Sequence, residues 1–119
     1  VLVVDDEPDF RMVLKHILGR SGYEVTEAKD GAEGLELARQ IKPDLVIADW
    51  NMPRMTGIEL CQALRQDPVF EKIAIIMLTV RQQDVDHAEG VHQGADLYLT
   101  KPIEPLELLH RIKGLLRHL

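Results

Sequence analysis

The distribution of apolar residues along the chain predicts five β-strands. Three runs are continuously apolar, at 1–4 (VLVV), 44–48 (DLVIA) and 73–78 (IAIIML). Continuous runs of this length are typical of parallel strands that are covered on both faces. A shorter run at 97–99 (LYL) has the same character, whereas 23–28 (YEVTEA) alternates apolar and polar residues. The alternation predicts a strand at an edge of the sheet.

Apolar residues at helical spacing between these runs predict five helices. Each stripe repeats every three or four residues, as one face of an amphipathic helix requires. The fourth helix, predicted at about 84–93, has the weakest stripe, and few apolar anchors mean low local stability. We therefore interpret it as the mobile element of a switch. The five stripes are Phe10, Val13, Leu14 and Ile17; Leu35, Ala38 and Ile41; Ile58, Cys61 and Leu64; Val85, Ala88 and Val91; and Leu106, Leu109, Ile112 and Leu116.

The alternation of strands and helices predicts an α/β fold, because each crossover between parallel strands needs a helix. With 23–28 at an edge, the natural arrangement is a doubly wound (βα)5 fold with a five-stranded parallel sheet in the order 2-1-3-4-5. Right-handed crossovers then place helices on both faces of the sheet. The 119 residues suffice for one domain, 1–119, with its own core.

Composition narrows the functional classes. A formal net charge of -6 argues against direct binding of nucleic acid or an anionic membrane by this domain. The single cysteine, Cys61, excludes an internal disulfide and favours a cytoplasmic location. We see neither a membrane-spanning run nor a signal peptide. Because the chain begins with Val1 in a strand, we expect residues or an output domain outside the sequence.

Polar, reactive side chains follow four of the five predicted strands. Asp5 and Asp6 follow the first strand, Asp49 the third, Thr79 the fourth, and Lys101 comes just after the fifth. The edge strand contributes none. Because ligands bind at the carboxyl ends of strands in an open parallel sheet, we expect these side chains to share one edge.

The chemistry of this set favours phosphoryl transfer. Neighbouring carboxylates repel one another, and Mg²⁺, which prefers oxygen ligands, would relieve the conflict. Lys101 adds a positive charge for an anion, and Thr79 adds a hydroxyl group. Asp49 is then the candidate nucleophile, forming an aspartyl phosphate.

Four motifs in this order, VVDDEP, DLVIADWNMPRMTG, IIMLT and GADLYLTKP, resemble the receiver domain of two-component response regulators, over essentially the whole chain. The resemblance implies that Asp49 accepts a phosphoryl group from a sensor histidine kinase or a phosphotransfer protein. It also implies that Asp5, Asp6, Asp49 and the backbone carbonyl of Asn51 hold Mg²⁺, with Asp6 as a direct ligand and Asp5 acting mainly through water.

The resemblance also implies a switch. Thr79 would move toward the phosphoryl group and Lys101 would neutralise it, with a cis peptide bond between Lys101 and Pro102 aiming the lysine. Tyr98 would turn inward as Thr79 moves. The surface formed by the predicted fourth helix, the fifth strand and the fifth helix would then change its affinity for an output domain or target protein, and a phosphorylation-dependent homodimer on this surface is a further hypothesis.

Two positions match the family's tuners of dephosphorylation. Asn51 lies two residues after Asp49, and Arg81 lies two residues after Thr79. Val80 is bulkier than the small residue common at its position, which predicts narrower access to the site. These roles describe a regulatory domain that supports its own phosphorylation and dephosphorylation, rather than a stand-alone enzyme.

Three other functions fit parts of the pattern. A phosphatase with an aspartyl phosphate intermediate needs an acid two residues after the nucleophile, where this chain has Asn51. A flavodoxin-like cofactor domain needs a phosphate-binding loop after the first strand, where this chain has DDEP. A receiver used only for docking would not need the complete set of acids, hydroxyl and lysine.

Local resemblances leave the output open. ELLHRIKGLLRH resembles receivers that precede winged-helix DNA-binding domains. CQALRQDPVFEKI and LTKPI resemble receivers that precede cyclic-di-GMP enzymes or belong to hybrid kinases, and DWNMP occurs in single-domain chemotaxis regulators. The sequence favours none of these outputs over the others.

Overall fold

One five-stranded parallel sheet forms the centre of the molecule. The computed structural model describes residues 1–52, 54–81, 83 and 94–117. The strand order is β2-β1-β3-β4-β5, with every neighbouring pair parallel, which confirms the predicted fold class and order. The strands are β1 (Leu2–Val4), β2 (Thr26–Ala28), β3 (Leu45–Asp49), β4 (Ala74–Thr79) and β5 (Leu97–Thr100).

Helices cover both faces of this sheet. The fourth helix of the sequence prediction, at 84–93, lies outside the described residues, so the last helix is named α4 here. A short 3-10 turn, Pro68–Phe70, precedes β4. None of the helices in the described part of the chain has the length and apolar character to span a membrane. The helices are α1 (Pro8–Arg20), α2 (Gly31–Ile41), α3 (Gly57–Gln66) and α4 (Pro105–Leu116).

The core consists of two apolar layers, one on each face of the sheet. Alternate residues of a strand point to opposite faces, so Val46 packs in the layer with α2 and α3, whereas Ile47 packs in the layer with α1 and α4. Every residue of β1, β3 and β4 is buried, as the continuous apolar runs predicted. Cys61 is buried in the first layer, and burial raises the pKa of its thiol to about 11.

The predicted apolar faces of α1 and α2 are partly wrong. Leu14 and Leu18, one turn apart, are the buried residues of α1, whereas Val13 is 53% exposed. Successive helical residues are about 100° apart around the axis, which turns Val13 away from the sheet. Ile41, the last residue of α2, is also exposed.

The predicted face of α4 also needs correction. Leu108 and Ile112 are fully buried, whereas Leu106 is 75% exposed. Leu106 precedes Leu108 by two residues, or about 200° around the helix, so both side chains cannot face the sheet. The predicted stripe included Leu106 and omitted Leu108.

Side chains at the helix starts fix the loops at the carboxyl edge of the sheet. Asp30 accepts a hydrogen bond from the Glu33 backbone N–H and caps α2, and Thr56 and Glu59 form a reciprocal capping box at α3. Gly57 begins α3 against the Asp49 backbone carbonyl, where a Cβ atom would clash. The start of α3 is thereby held close to the end of β3.

Candidate functional site

Three carboxylates meet at the carboxyl edge of the sheet. Asp5 and Asp6 follow β1, and Asp49 is the last residue of the neighbouring β3, one position beyond the paired Val4 and Ala48. Asp5 is buried, Asp49 is only 9% exposed and Asp6 is exposed. Carboxylate oxygens of the three lie within 4.8 Å of one another. The cluster therefore has the donor atoms and the spacing to hold a metal ion.

Asp49 lies in an environment that disfavours its charge. Its pKa is raised from 3.8 to about 6, chiefly because burial removes the carboxylate from water. The negative charges of Asp5 and Asp6 raise this pKa further, whereas Lys101 and a hydrogen bond from the Asn51 backbone lower it. The three acids therefore oppose one another's charge, as the sequence predicted.

Lys101 brings a positive charge to the same point. Its Nζ lies 2.9 Å from Asp5 Oδ2 and 3.6 Å from Asp49 Oδ1, and its side chain is only 11% exposed. The same Nζ lies 4.0 Å from the centre of the Phe10 ring. The peptide bond between Lys101 and Pro102 is cis. Two predicted acids and the predicted lysine thus form one buried ionic group.

Thr79 ends β4 at the same edge. Leu78 pairs with Asp49, so Thr79 is one position further along the sheet. Its hydroxyl accepts a hydrogen bond from the Arg81 backbone N–H at 3.2 Å, and its carbonyl accepts one from the Lys101 backbone at 2.7 Å. The strand ends that carry Thr79 and Lys101 are thereby joined.

Tyr98 lies in the core on β5. The side chain is buried, and its hydroxyl accepts a hydrogen bond from the Ala95 backbone N–H at 3.1 Å. Its ring centre is 6.2 Å from that of Trp50, the residue after Asp49. Tyr98 thus already occupies the inward position that the sequence predicted only for the switched state, close to the loop that leaves the acidic cluster.

The two predicted tuning residues lie at the rim. Asn51 and Arg81 are both exposed. The Asn51 backbone N–H donates to the Asp49 carboxylate, and the Arg81 backbone N–H donates to the Thr79 hydroxyl. The metal-binding role of the Asn51 carbonyl stays a prediction.

Sequence reasoning missed two residues of α1 that touch the site. Phe10 was predicted only as part of an apolar stripe, yet its ring covers the Lys101 ammonium. Arg11 donates from Nη1 to the Asp5 backbone carbonyl at 2.6 Å and from Nε to Glu27 at 3.3 Å. Their position four to six residues after the acidic pair, in the first turn of α1, was the available signal.

A third missed contact connects two loops. Arg54 Nη1 lies 3.1 Å from Asp30 Oδ2, joining the loop after β3 to the start of α2. Arg54 has a positive φ of 67°, a conformation that is rare outside glycine. Neither residue type nor spacing predicts this pair, because folding alone brings the two loops together.

Comparison with known proteins identifies the family. The family model described as the response regulator receiver domain matches residues 1–113. The chain belongs to the response regulator receiver domain family. The resemblance read from the four motifs is thereby confirmed, and the fold is that of a two-component receiver domain.

Two relatives show how this receiver domain occurs in longer proteins. It is 44% identical to the alkaline phosphatase synthesis transcriptional regulatory protein of Bacillus subtilis, covering 98% of this chain and 48% of the relative. It is 39% identical to the phosphate regulon transcriptional regulatory protein of Pseudomonas aeruginosa, covering 98% and 51%. The chain spans about half the length of these curated relatives, which are named as regulators rather than as enzymes.

Solved structures agree with this family. The signal receiver domain of a histidine kinase from Syntrophus aciditrophicus matches with a TM-score of 0.91 at 35% identity, covering 99% of this chain and 89% of that one. A chemotaxis protein of Vibrio cholerae matches with a TM-score of 0.87 at 38% identity, covering 96% and 95%. The same receiver fold therefore occurs in proteins described as a kinase and as a chemotaxis protein.

Proposed function

We propose that this receiver domain accepts a phosphoryl group on Asp49 from the phosphohistidine of a sensor histidine kinase or a phosphotransfer protein in the cytoplasm. The observation that carries the proposal is the surroundings of Asp49. Its carboxylate is buried, has a pKa raised to about 6, and lies beside two further acids and the Lys101 ammonium. A nucleophile, a cation site and a charge for the phosphoryl oxygens thus occur together.

The acidic cluster fits Mg²⁺ as the cofactor. Its carboxylate oxygens lie within 4.8 Å of one another, and Mg²⁺ is bound by hard oxygen ligands. Asp6, Asp49 and the Asn51 carbonyl would hold the ion directly, and Asp5 would hold it mainly through water. When bound, Mg²⁺ would neutralise charge on the carboxylates and on the phosphoryl oxygens.

In the transfer step, one Asp49 carboxylate oxygen attacks phosphorus and forms the new P–O bond. The P–N bond to the donor histidine breaks, and its electron pair goes to the ring nitrogen. The other ring nitrogen carries a proton, so the imidazole leaves neutral. Lys101 supplies positive charge to the transferred group in the transition state.

Loss of the phosphoryl group reverses the modification. A water oxygen attacks phosphorus, and the P–O bond to Asp49 breaks with its electron pair returning to the carboxylate. Both protons of the water leave with the inorganic phosphate. Asn51 and Arg81, both exposed at the rim, would tune this rate through the access of water.

The output follows from a shift between two conformations. Thr79 would move toward the phosphoryl group and hold Tyr98 in its inward position beside Trp50. The surface formed by the predicted fourth helix, β5 and α4 would then change its partner affinity. The contact of Tyr98 with Trp50 supports this coupling, because Trp50 directly follows Asp49. A homodimer on this surface is one form that the response could take.

A single receiver domain, 1–119, with a separate output domain best fits the relatives. Two of them are named as transcriptional regulatory proteins, and each is about twice as long as the matched region. We therefore favour an output domain of the DNA-binding type, with no direct contact of the receiver domain itself with nucleic acid or membrane.

The test uses the purified domain with Mg²⁺ and acetyl phosphate. We expect mass spectrometry to find one base-labile phosphoryl group on the wild type and none on Asp49→Asn. Asp44→Asn, which changes an exposed acid just before the same strand, is the matched control and should be phosphorylated like the wild type. If the wild type gains no phosphoryl group, the proposal is contradicted, and a receiver domain used only for docking is the remaining hypothesis.

A further inference from the structure

Three groups surround the Lys101 ammonium in the described part of the chain. Asp5 Oδ2 is at 2.9 Å, Asp49 Oδ1 is at 3.6 Å, and the centre of the Phe10 ring is at 4.0 Å. A lysine ammonium has three N–H donors and no acceptor. The ammonium therefore donates to Asp5 and lies beside both the Asp49 carboxylate and the face of the ring.

The position of Phe10 follows from α1, but its aromatic character does not. Phe10 lies one turn before Leu14 on the face of α1 that packs on the sheet, and it is partly buried there. A leucine could fill this apolar position. Only an aromatic ring presents a negative face that attracts an ammonium ion.

The three contacts respond differently to a bound cation. Asp5 and Asp49 attract the ammonium less once a divalent cation neutralises their charge. The face of the Phe10 ring carries no net charge for that cation to neutralise. The share of the ammonium's stabilisation that comes from the ring is therefore largest in the cation-loaded state, which is the state that reacts.

The same ammonium opposes cation binding. Lys101 Nζ lies close to carboxylate oxygens of Asp5 and Asp49, the groups that would bind the cation. A group that keeps Lys101 in this place therefore weakens cation binding and favours neutralisation of the phosphoryl group. A free lysine side chain has many rotamers to occupy outside the site.

We propose that Phe10 is a positioning residue that holds the Lys101 ammonium in the acidic site through its ring face. The inference rests on the proposed function and adds a residue to it. It predicts two effects of opposite direction when the ring's negative face is weakened. Phosphorylation becomes slower, and Mg²⁺ binds more tightly.

The test replaces Phe10 site-specifically with mono-, di- and trifluorophenylalanine. Fluorine withdraws charge from the ring face while nearly preserving its shape, so the cation–π attraction weakens stepwise. We expect the rate with acetyl phosphate and Mg²⁺ to fall along the series by about twofold to thirtyfold in total, the range that a cation–π contact covers. Phe10→Leu should match the end of the series, and Phe10→Tyr should stay near the wild type.

Mg²⁺ affinity provides a readout that does not depend on activity. Titration is followed by the fluorescence of Trp50, the only tryptophan, and by the amide chemical shifts of Asp5 and Asp49. We expect the dissociation constant to fall along the same fluorinated series. The matched control is the same series at Phe70, the other phenylalanine, which is buried before β4 and should change neither quantity.

The outcomes separate this inference from the proposed function. If the phosphorylation rate and the Mg²⁺ dissociation constant do not change along the Phe10 series, while the wild type is phosphorylated normally, the role of Phe10 alone is overturned. Rate and Mg²⁺ affinity that fall together would also overturn it, since this indicates general damage to the fold. If the wild type is never phosphorylated, the proposed function fails, and the Mg²⁺ titration still decides whether the ring holds Lys101.

Discussion

Replacing Asp49 with asparagine is expected to stabilise the domain in the absence of divalent cations. The wild-type carboxylate is buried beside Asp5 and Asp6, and its pKa is raised from 3.8 to about 6. Asparagine has nearly the same shape and no charge. The substitution therefore removes the repulsion and the cost of burying the charge.

The magnitude follows from the pKa. A shift of about two units corresponds to about 3 kcal/mol at a pH well above 6. This net shift already includes the attraction of Lys101, 3.6 Å away, so it sets the upper end of the gain. We expect the free energy of unfolding to rise by about 1–3 kcal/mol at pH 8.

The pH dependence has a definite sign. Because the pKa in the folded state is raised, protonation stabilises the wild type as the pH falls from about 6 toward 3.8. The advantage of Asp49→Asn is therefore complete above pH 6 and shrinks as the pH is lowered through this window. Near pH 4 the two proteins should have similar stability.

Urea unfolding with EDTA at pH 8, 6 and 4 measures this difference directly. Glu36→Gln, which neutralises an exposed acid on α2, is the matched control and should change little at any of these values. The electrostatic reasoning would be refuted if Asp49→Asn were less stable than the wild type at pH 8. It would also be refuted if the variant gained as much stability over the wild type at pH 4 as at pH 8.

Three further predictions test the site and its support. Mg²⁺ at a hundred times its dissociation constant should stabilise the wild type by about 2.7 kcal/mol in thermal or urea unfolding. At the same Mg²⁺ concentration, Asp6→Asn should lose most of this stabilisation. Equal stabilisation of the two proteins would contradict the role of Asp6. Lys101→Met should bind Mg²⁺ more tightly in a fluorescence titration. It should also accept phosphoryl from acetyl phosphate at least about tenfold more slowly, because it lacks the donor that stabilises charge in the transition state. Unchanged values would remove Lys101 from the site. Gly57→Ala should lower the free energy of unfolding by about 1–3 kcal/mol, because its Cβ would clash with the Asp49 carbonyl, whereas Gly114→Ala on α4, with open space around it, should raise it by about 0.5–1 kcal/mol.

The fold was predictable because the central strands are buried on both faces. Continuous apolar runs such as 44–48 and 73–78 have no polar face that could be exposed to solvent, so they predicted central strands. The alternation at 23–28 predicted the edge strand. Helix faces were less predictable. Leu106 and Leu108 are equally apolar in the sequence, and only packing on the sheet decides which of them is buried.

The charged part of the site was predictable for a related reason. An acid at the end of an apolar strand is costly unless it has a function or a partner, so Asp49 was conspicuous. The Phe10 ring over Lys101 and the Arg54–Asp30 pair were not predictable. Their residue types are ordinary for a helix stripe and for exposed loops, and only the tertiary fold brings each pair together.

Chemical identification of the phosphorylated residue decides whether Asp49 is the phosphoryl acceptor. The domain is treated with acetyl phosphate and Mg²⁺, and the acyl phosphate is reduced with borohydride, which converts a phosphorylated aspartate to homoserine. Peptide mass spectrometry then locates the change. We expect homoserine at position 49 and at no other aspartate. Conversion at Asp5 or Asp6, or no conversion at all, would show that Asp49 is not the phosphorylated residue.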